Sequence, residues 1–140
     1  MRPTRIIVGE VRGGEAFDMM QCLNTGHDGS MSTGHANSSE DMLSRLENMI
    51  LMGMEIPLAA IRQQIASGID IIVHLGRLRD GSRKVLEIVE VSGYAKERIT
   101  LNPLYRFVET GEDKTGKVVG TLEKKGELIY VEKLRSAGLR

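Results

Sequence analysis

Ile6-Ile7-Val8 runs straight into Gly9-Glu10, and Arg12-Gly13-Gly14-Glu15-Ala16 follows. A continuous run of branched apolar residues predicts a strand buried on both faces, because a strand with one wet face alternates instead. The glycine turn and the helix-compatible segment behind it make a strand-turn-helix unit of an α/β fold. In open α/β sheets ligands bind beyond the carboxyl ends of the strands, so Glu10 is expected at the mouth of a site with Arg12 close behind it. Burial of an Ile or Val side chain stabilises by about 1.5 to 3 kcal/mol. The strand core would therefore hold Glu10 in place.

The next elements lead back to the same edge. Ala16, Phe17, Met20 and Leu23 recur at helical spacing between Glu15 and Thr25, and Gly26 stands where a C′ glycine ends a helix. Asp28-Gly29 predicts a turn, and Ser30 to Thr33 a short strand parallel to the first. Such small polar residues bury little, and close approach of a ligand or a neighbouring chain is one reason for them. The strand would deliver Thr33, Gly34 and His35 to the edge that carries Glu10. His27 and His35 fall at its opposite ends, and a zinc site of His27, Asp28 and His35 would lack a fourth ligand. A histidine that merely satisfies backbone groups at a strand end is the alternative for either position.

Ser38 and Asp41 have capping-box spacing, and Met42, Leu43, Leu46, Met49 and Ile50 define a helix to about Met52. Pro57 opens a second helix with Leu58, Ile61 and Ile65 as its buried stripe, ending at Gly68. The methionines of this pair are read as core. From Ile69 to Leu75 the pattern alternates, Ile69, Ile71, Val73 and Leu75 on one face and Asp70, Ile72 and His74 on the other. A basic turn from Arg77 to Arg83 leads to a returning strand, Lys84 to Val91. It is either a solvated hairpin tip or a contact with nucleotide or an adjacent subunit, and no individual role falls to Arg77, Arg79 or Arg83. Ile99 to Leu101, Leu104 to Glu109, Lys117 to Leu122 and Leu128 to Glu132 read as strands of a small antiparallel meander, packed by Tyr105, Phe107 and Tyr130. Lys133 to Ala137 reads as a helical turn.

The 140 residues are 41% hydrophobic, enough for one domain's core without disulfides, and formal net charge is zero. That balance gives no basic field for nucleic acid, so a small nucleic-acid-binding domain is disfavoured. Cys22 is the one cysteine and reads as a packed thiol in a reducing compartment. The apolar runs are broken by Gly53, Pro57 and Asp70, well short of the roughly 20 residues of a membrane span.

Glu10 to Ala16, Thr25-Gly26-His27-Asp28-Gly29-Ser30 and Ser32-Thr33-Gly34-His35-Ala36-Asn37-Ser38 resemble the Walker B strand and histidine box of type II/IV secretion-system and pilus-assembly ATPases, the CpaF type above all. Leu43 to Glu47, Gln64 to Asp70 and Arg77 to Arg83 continue the resemblance in order. It implies an α/β fold: residues 1–93 as the C-terminal part of a RecA-like P-loop ATPase core, a mixed and mainly parallel sheet flanked by helices, and 94–140 as a small antiparallel β appendage. The intact enzyme is then a cytoplasmic hexamer using ATP and Mg²⁺ to drive protein secretion or tad-type pilus assembly, held at the inner face of the plasma membrane by platform proteins. Glu10 and His35 are implied as catalytic, with Glu10 reaching Mg²⁺ through water, His35 near the terminal phosphate, Arg12 and Thr33 in the nucleotide site, and His27 fixing the turn. Gly34 departs from the branched apolar residue frequent in the wider family and loosens the strand end at His35.

No G-x-x-x-x-G-K-[ST] phosphate loop occurs in the chain. In the resembled family that loop lies upstream of the position of Arg2, so the chain is read as part of a larger ATPase, either truncated, expressed as a fragment or encoded by a broken gene. The alternative is a non-catalytic assembly module that docks on an intact ring. Glu10 cannot replace the loop's backbone N–H groups and lysine, so the isolated chain is predicted to hydrolyse no ATP in a phosphate-release assay. Magnesium-dependent turnover that disappears in Glu10→Gln would contradict this.

Overall fold

The computed structural model describes residues 3–139. In chain order these form β1 (Ile7–Val8), α1 (Ala16–Asn24), β2 (Met31–Ser32), α2 (Ser39–Gly53), α3 (Leu58–Gly68), β3 (Ile71–Arg77), β4 (Arg83–Ala95), β5 (Arg98–Glu112), β6 (Val118–Lys124) and α4 (Glu132–Ser136). The chain divides into two compact units: residues up to Asp70 with Gly93–Thr100, and Ile71–Ser92 with the residues from Leu101 onward.

In the first unit β1 and β2 pair in parallel, with Ile7 opposite Met31 and Val8 opposite Ser32. The helices α1, α2 and α3 pack on one another through Met19 and Met20, Leu43, Leu46 and Ile50, and Ile61 and Ile65, all buried. The ends follow local chemistry. Gly26 takes a left-handed φ of 84° just past α1. The Ser38 hydroxyl accepts from the Asp41 N–H at 3.0 Å to cap α2, and Pro57, fixed near −57°, precedes α3. Arg62 on α3 pairs with Glu47 on α2 at 2.8 Å and donates to the Glu97 carbonyl at 2.9 Å.

Two expectations for this unit fail. Ile7 is 72% exposed and Met31 61%, so β1 is not buried on both faces. A two-stranded ribbon is covered on one side only, and the Ile7–Met31 pair occupies the other. Nor are all the methionines and apolar residues of the helical pair in the core. Leu51, Met52, Met54 and Leu58 are exposed because they lie where α2 ends and α3 begins, past the turns that face neighbouring helices.

In the second unit the strand order is β3-β4-β5-β6, antiparallel where β3 meets β4 and where β5 meets β6. Parallel pairing among the described strands is thus confined to β1 with β2. The alternation expected in β3 is present, but Ile71, Val73 and Leu75 are exposed while Ile72 and His74 lie on the half-covered face. His74 stands opposite Glu87 of β4, and Arg106 of β5 approaches the same carboxylate at 3.9 Å, so a row of polar groups is satisfied across the strands. The two short strands expected on either side of Pro103 are one strand, β5. Pro103 lacks an N–H, yet it precedes Tyr105, the first residue paired with β6, so no bond of that ladder is lost. Leu128 to Tyr130 form no strand.

That segment is held instead by a buried carboxylate. Glu90 of β4, 2% exposed, accepts from the Asn102 side chain (2.9 Å) and from the N–H groups of Ile129 (2.9 Å) and Tyr130 (3.0 Å). Burial alone would raise its pKa; the three donors outweigh burial and hold it below 4.5. A depressed folded value means the carboxylate stabilises the fold above the unfolded pKa, and that contribution is lost as pH falls through the folded value. Glu90→Ala should cost about 1 to 3 kcal/mol in urea unfolding at neutral pH, with lost exchange protection at the Ile129 and Tyr130 amides. The difference between variant and wild type should shrink below pH 4.5.

Candidate functional site

The chain beyond β1 keeps the strand's alternation. Val11 points into the core, 3% exposed, which turns Glu10 and Arg12 to the other side. Four bonds around the two-residue ribbon extend the pairing, two where the strands begin and two that tie the loop after β1 to the loop after β2. The Ile6 N–H donates to Ser30 Oγ (2.9 Å), the Met31 N–H to the Ile6 carbonyl (3.1 Å) and the Val11 N–H to the Thr33 carbonyl (3.0 Å). The Thr33 hydroxyl donates to the Gly9 carbonyl.

Glu10 and His35 meet as a result. His35 Nε2 lies 2.8 Å from Glu10 Oε1, and Arg12 Nη2 lies 2.5 Å from Oε2, so each carboxylate oxygen has its own nitrogen partner. The Glu10 side chain is 23% exposed, whereas Arg12 and His35 are largely open to solvent. The Arg12 hydrogen bond, with its charge and that of His35, holds the Glu10 carboxyl below its ordinary value. Reciprocally, Glu10 raises the Arg12 guanidinium.

Glycines let the supporting elements come close. Gly14 lies against Gly53 at the end of α2, backbone to backbone: a Cβ on Gly53 would stand 2.8 Å from the Gly14 carbonyl oxygen. The freedom expected at Gly34 is taken up by packing, since a Cβ there would meet Met42 Sδ at 2.9 Å and Val11 Cγ1 at 3.6 Å. After His35, the Asn37 N–H donates to Asp41 Oδ2 (2.9 Å), which joins the loop to the first turn of α2.

Of the residues singled out by sequence, Glu10, Arg12, Thr33 and His35 are thus gathered at one edge. The Thr33 hydroxyl is spent on the Gly9 carbonyl, and its visible work is to bind the two loops together. His27 does something else. Its Nδ1 is 3.1 Å from the Cys22 carbonyl, and its own carbonyl accepts from Ser30 Oγ at 2.7 Å, which shapes the turn after α1. In the second unit Arg79 pairs with Glu109 and Glu112, and Arg77 Nε donates to the Gly81 carbonyl at 3.2 Å. Asp80 accepts from the Ser82 hydroxyl and N–H and from the Val118 N–H, which lowers its pKa to about 2. The basic tip is therefore internally compensated at Arg79.

Sequence reasoning missed Glu15. Its Oε1 accepts from the N–H groups of Arg12 (2.7 Å) and Gly13 (3.1 Å). A carboxylate directly after a glycine pair at a helix start was the available signal.

The donor chemistry suits the anionic end of a nucleotide, with an exposed guanidinium and imidazole beside one carboxylate. Direct metal ligation is a poorer fit, because Glu10 is flanked by a cation, and among the described residues no group of three or more His, Cys, Asp or Glu is placed to hold a metal ion.

Residues 1–123 match the family model described as type II/IV secretion system protein. A putative conjugal transfer protein of Mycobacterium tuberculosis is 42% identical over 88 residues, 63% of this chain and 25% of that protein. The type IV secretion system protein VirB11 of Brucella suis is 34% identical over 105 residues, 72% of this chain and 29% of VirB11. The crystal structure of the Brucella suis VirB11 ATPase in complex with sulphate matches with a TM-score of 0.61 and 37% identity, covering 64% of this chain and 28% of that one. The chain spans between a quarter and a third of the length of these relatives. No helix among the described residues is long and apolar enough to cross a membrane.

The Gly14–Gly53 contact carries a prediction. Helix propensity alone would favour alanine over glycine by up to about 1 kcal/mol, whereas overpacking against fixed backbone costs about 1 to 3 kcal/mol. Gly53→Ala should therefore lower the thermal midpoint and shift the Gly13 and Gly14 amide resonances. A raised midpoint with those resonances unmoved would show that the contact is slack.

Proposed function

Because this chain belongs to the type II/IV secretion system protein family and has the mixed α/β fold of its RecA-like ATPases, we propose that it carries one side of the nucleotide site of a secretion motor ATPase. The observation that carries this reading is the grip of Arg12 and His35 on the two oxygens of Glu10 at the end of β1. On this reading β1 with Glu10 is the Walker B strand and the segment through His35 the histidine box. The full-length protein supplies the phosphate loop and bound Mg²⁺·ATP supplies the phosphoryl group.

Glu10 then polarises the attacking water and addresses Mg²⁺ through water. Its carboxyl, held below its ordinary value by Arg12 first and then His35, is ionised at neutral pH, as a base must be. Arg12 orients Glu10, and His35 stands where its Nε2–H can donate to the terminal phosphate. Thr33 holds the His35 loop to β1, and His27 fixes the turn that launches β2. Residues 1–93 act as part of the ATPase core and 94–140 as its appendage. The parent is a cytoplasmic hexamer, peripheral to the inner membrane through platform proteins, serving protein secretion or tad-type pilus assembly without nucleic acid as a substrate.

The test is steady-state ATP hydrolysis by the full-length parent. Loss of a general base costs about 10²- to 10⁴-fold in rate, so Glu10→Gln should lower kcat by that order and leave KM near wild type. A Glu10→Gln enzyme that retains wild-type kcat would refute the assignment.

A further inference from the structure

Arg12 reaches Glu10 from a loop whose glycines have little stiffness of their own. What holds its peptide is the carboxylate of Glu15, which accepts from both the Arg12 and Gly13 N–H groups. Glu15 is itself anchored, because Ala16, Met19 and Met20 of the helix it begins are buried. The Ala16 N–H donates to the Gly13 carbonyl (3.0 Å) and the Phe17 N–H to the Gly14 carbonyl (3.2 Å), which folds the glycine pair back onto α1. The chain thus enters the loop from a paired strand and leaves it into a packed helix. Arg12 lies between, with its N–H tied to Glu15 and its guanidinium tied to Glu10.

We propose that Glu15 is a positioning residue for this site: by clamping the Arg12 and Gly13 N–H groups it sets the backbone from which Arg12 reaches Glu10, without itself touching the reacting atoms. The inference rests on the proposed reading of Glu10 as the working carboxylate. It makes a distinct physical claim, because two effects of Glu15 on Glu10 have opposite signs. As a bare negative charge, Glu15 disfavours ionisation of Glu10, so removing it would lower the Glu10 pKa. As a clamp, it keeps the Arg12 cation on Glu10, so removing it would raise that pKa. Glu15 is held ionised by the same contacts, the Arg12 N–H foremost, which keeps the clamp closed at neutral pH.

The experiment follows the Glu10 carboxyl by ¹³C NMR titration in the 140-residue chain, with amide spectra verifying the fold of each variant. It needs no nucleotide, so its outcome is separate from that of the hydrolysis assay. Arg12→Ala sets the reference upward shift. Glu15→Ala should shift the Glu10 midpoint upward in the same sense. Glu15→Gln, which keeps a carbonyl acceptor within reach but no charge, should leave the midpoint at or below wild type. Glu15→Asp, charged but one methylene shorter, should behave like Glu15→Ala. The clamp is overturned if Glu15→Ala lowers the midpoint or leaves it unmoved, or if Glu15→Asp titrates as wild type while Glu15→Gln titrates as Glu15→Ala. It is equally overturned if Arg12→Ala fails to move Glu10, since the pair it serves would then not exist in solution.

Discussion

Parallel pairing of β1 with β2 is the constraint from which the site follows. Parallel strands end on the same side, so the loops that leave them emerge together, and here they carry Glu10 and His35. Two residues per strand make a weak ribbon by themselves. The surrounding bonds, Ile6 to Ser30, Ile6 to Met31, Val11 to Thr33 and Gly9 to Thr33, extend the pairing on both sides. The polar residues flanking β2 find their reason in this: Ser30 and Thr33 add side-chain bonds where the two-residue strands supply no ladder bonds.

The helices then act as a stiff backing. Ala16, Met19 and Met20 anchor the start of α1, while Leu43, Leu46 and Ile50 fix α2 against it. α2 approaches the site loops at two places where a side chain is omitted, at its own Gly53 against Gly14 and at Met42 over Gly34. Close backbone packing of this kind transmits strain directly, since no flexible side chain lies between the Gly14 and Gly53 main chains to absorb a shift.

What could be read from the sequence was whatever depends on near neighbours. Helical spacing located α1, α2 and α3 to within a few residues; the Ser38 cap, the Gly26 turn and Pro57 marked their ends as expected. The Glu10 and His35 segments were identified by resemblance, which carries relative order but no geometry. What the sequence did not show is which face of an element is covered. Ile7 and Ile71, Val73 and Leu75 are as apolar as core residues, yet their exposure is decided by whether another layer lies over them, and alternation is silent about that. Glu90 was likewise hidden, because its donors come from Asn102, 12 residues on, and from Ile129 and Tyr130, 39 and 40 residues on. The break expected between Leu101 and Leu104 is absent for a different reason. A proline breaks a central ladder only where a partner strand needs its N–H, and β6 begins its pairing beyond it.

The arrangement around Glu10 also limits how the site can work under the proposed reading. Its two carboxylate oxygens are both engaged, by an arginine and by an imidazole that are themselves open to solvent. A carboxylate so engaged stays ionised but is a poor base, because the donors that lower its pKa, Arg12 foremost, also lower its basicity. An arriving phosphate is a stronger acceptor for the same two donors than a single carboxylate is, through its greater charge and its additional oxygens. Movement of His35 or Arg12 toward phosphate would therefore free an oxygen of Glu10 at the moment a water needs it. Basicity and occupancy are then coupled through shared partners, with no larger rearrangement of the β1–β2 ribbon required.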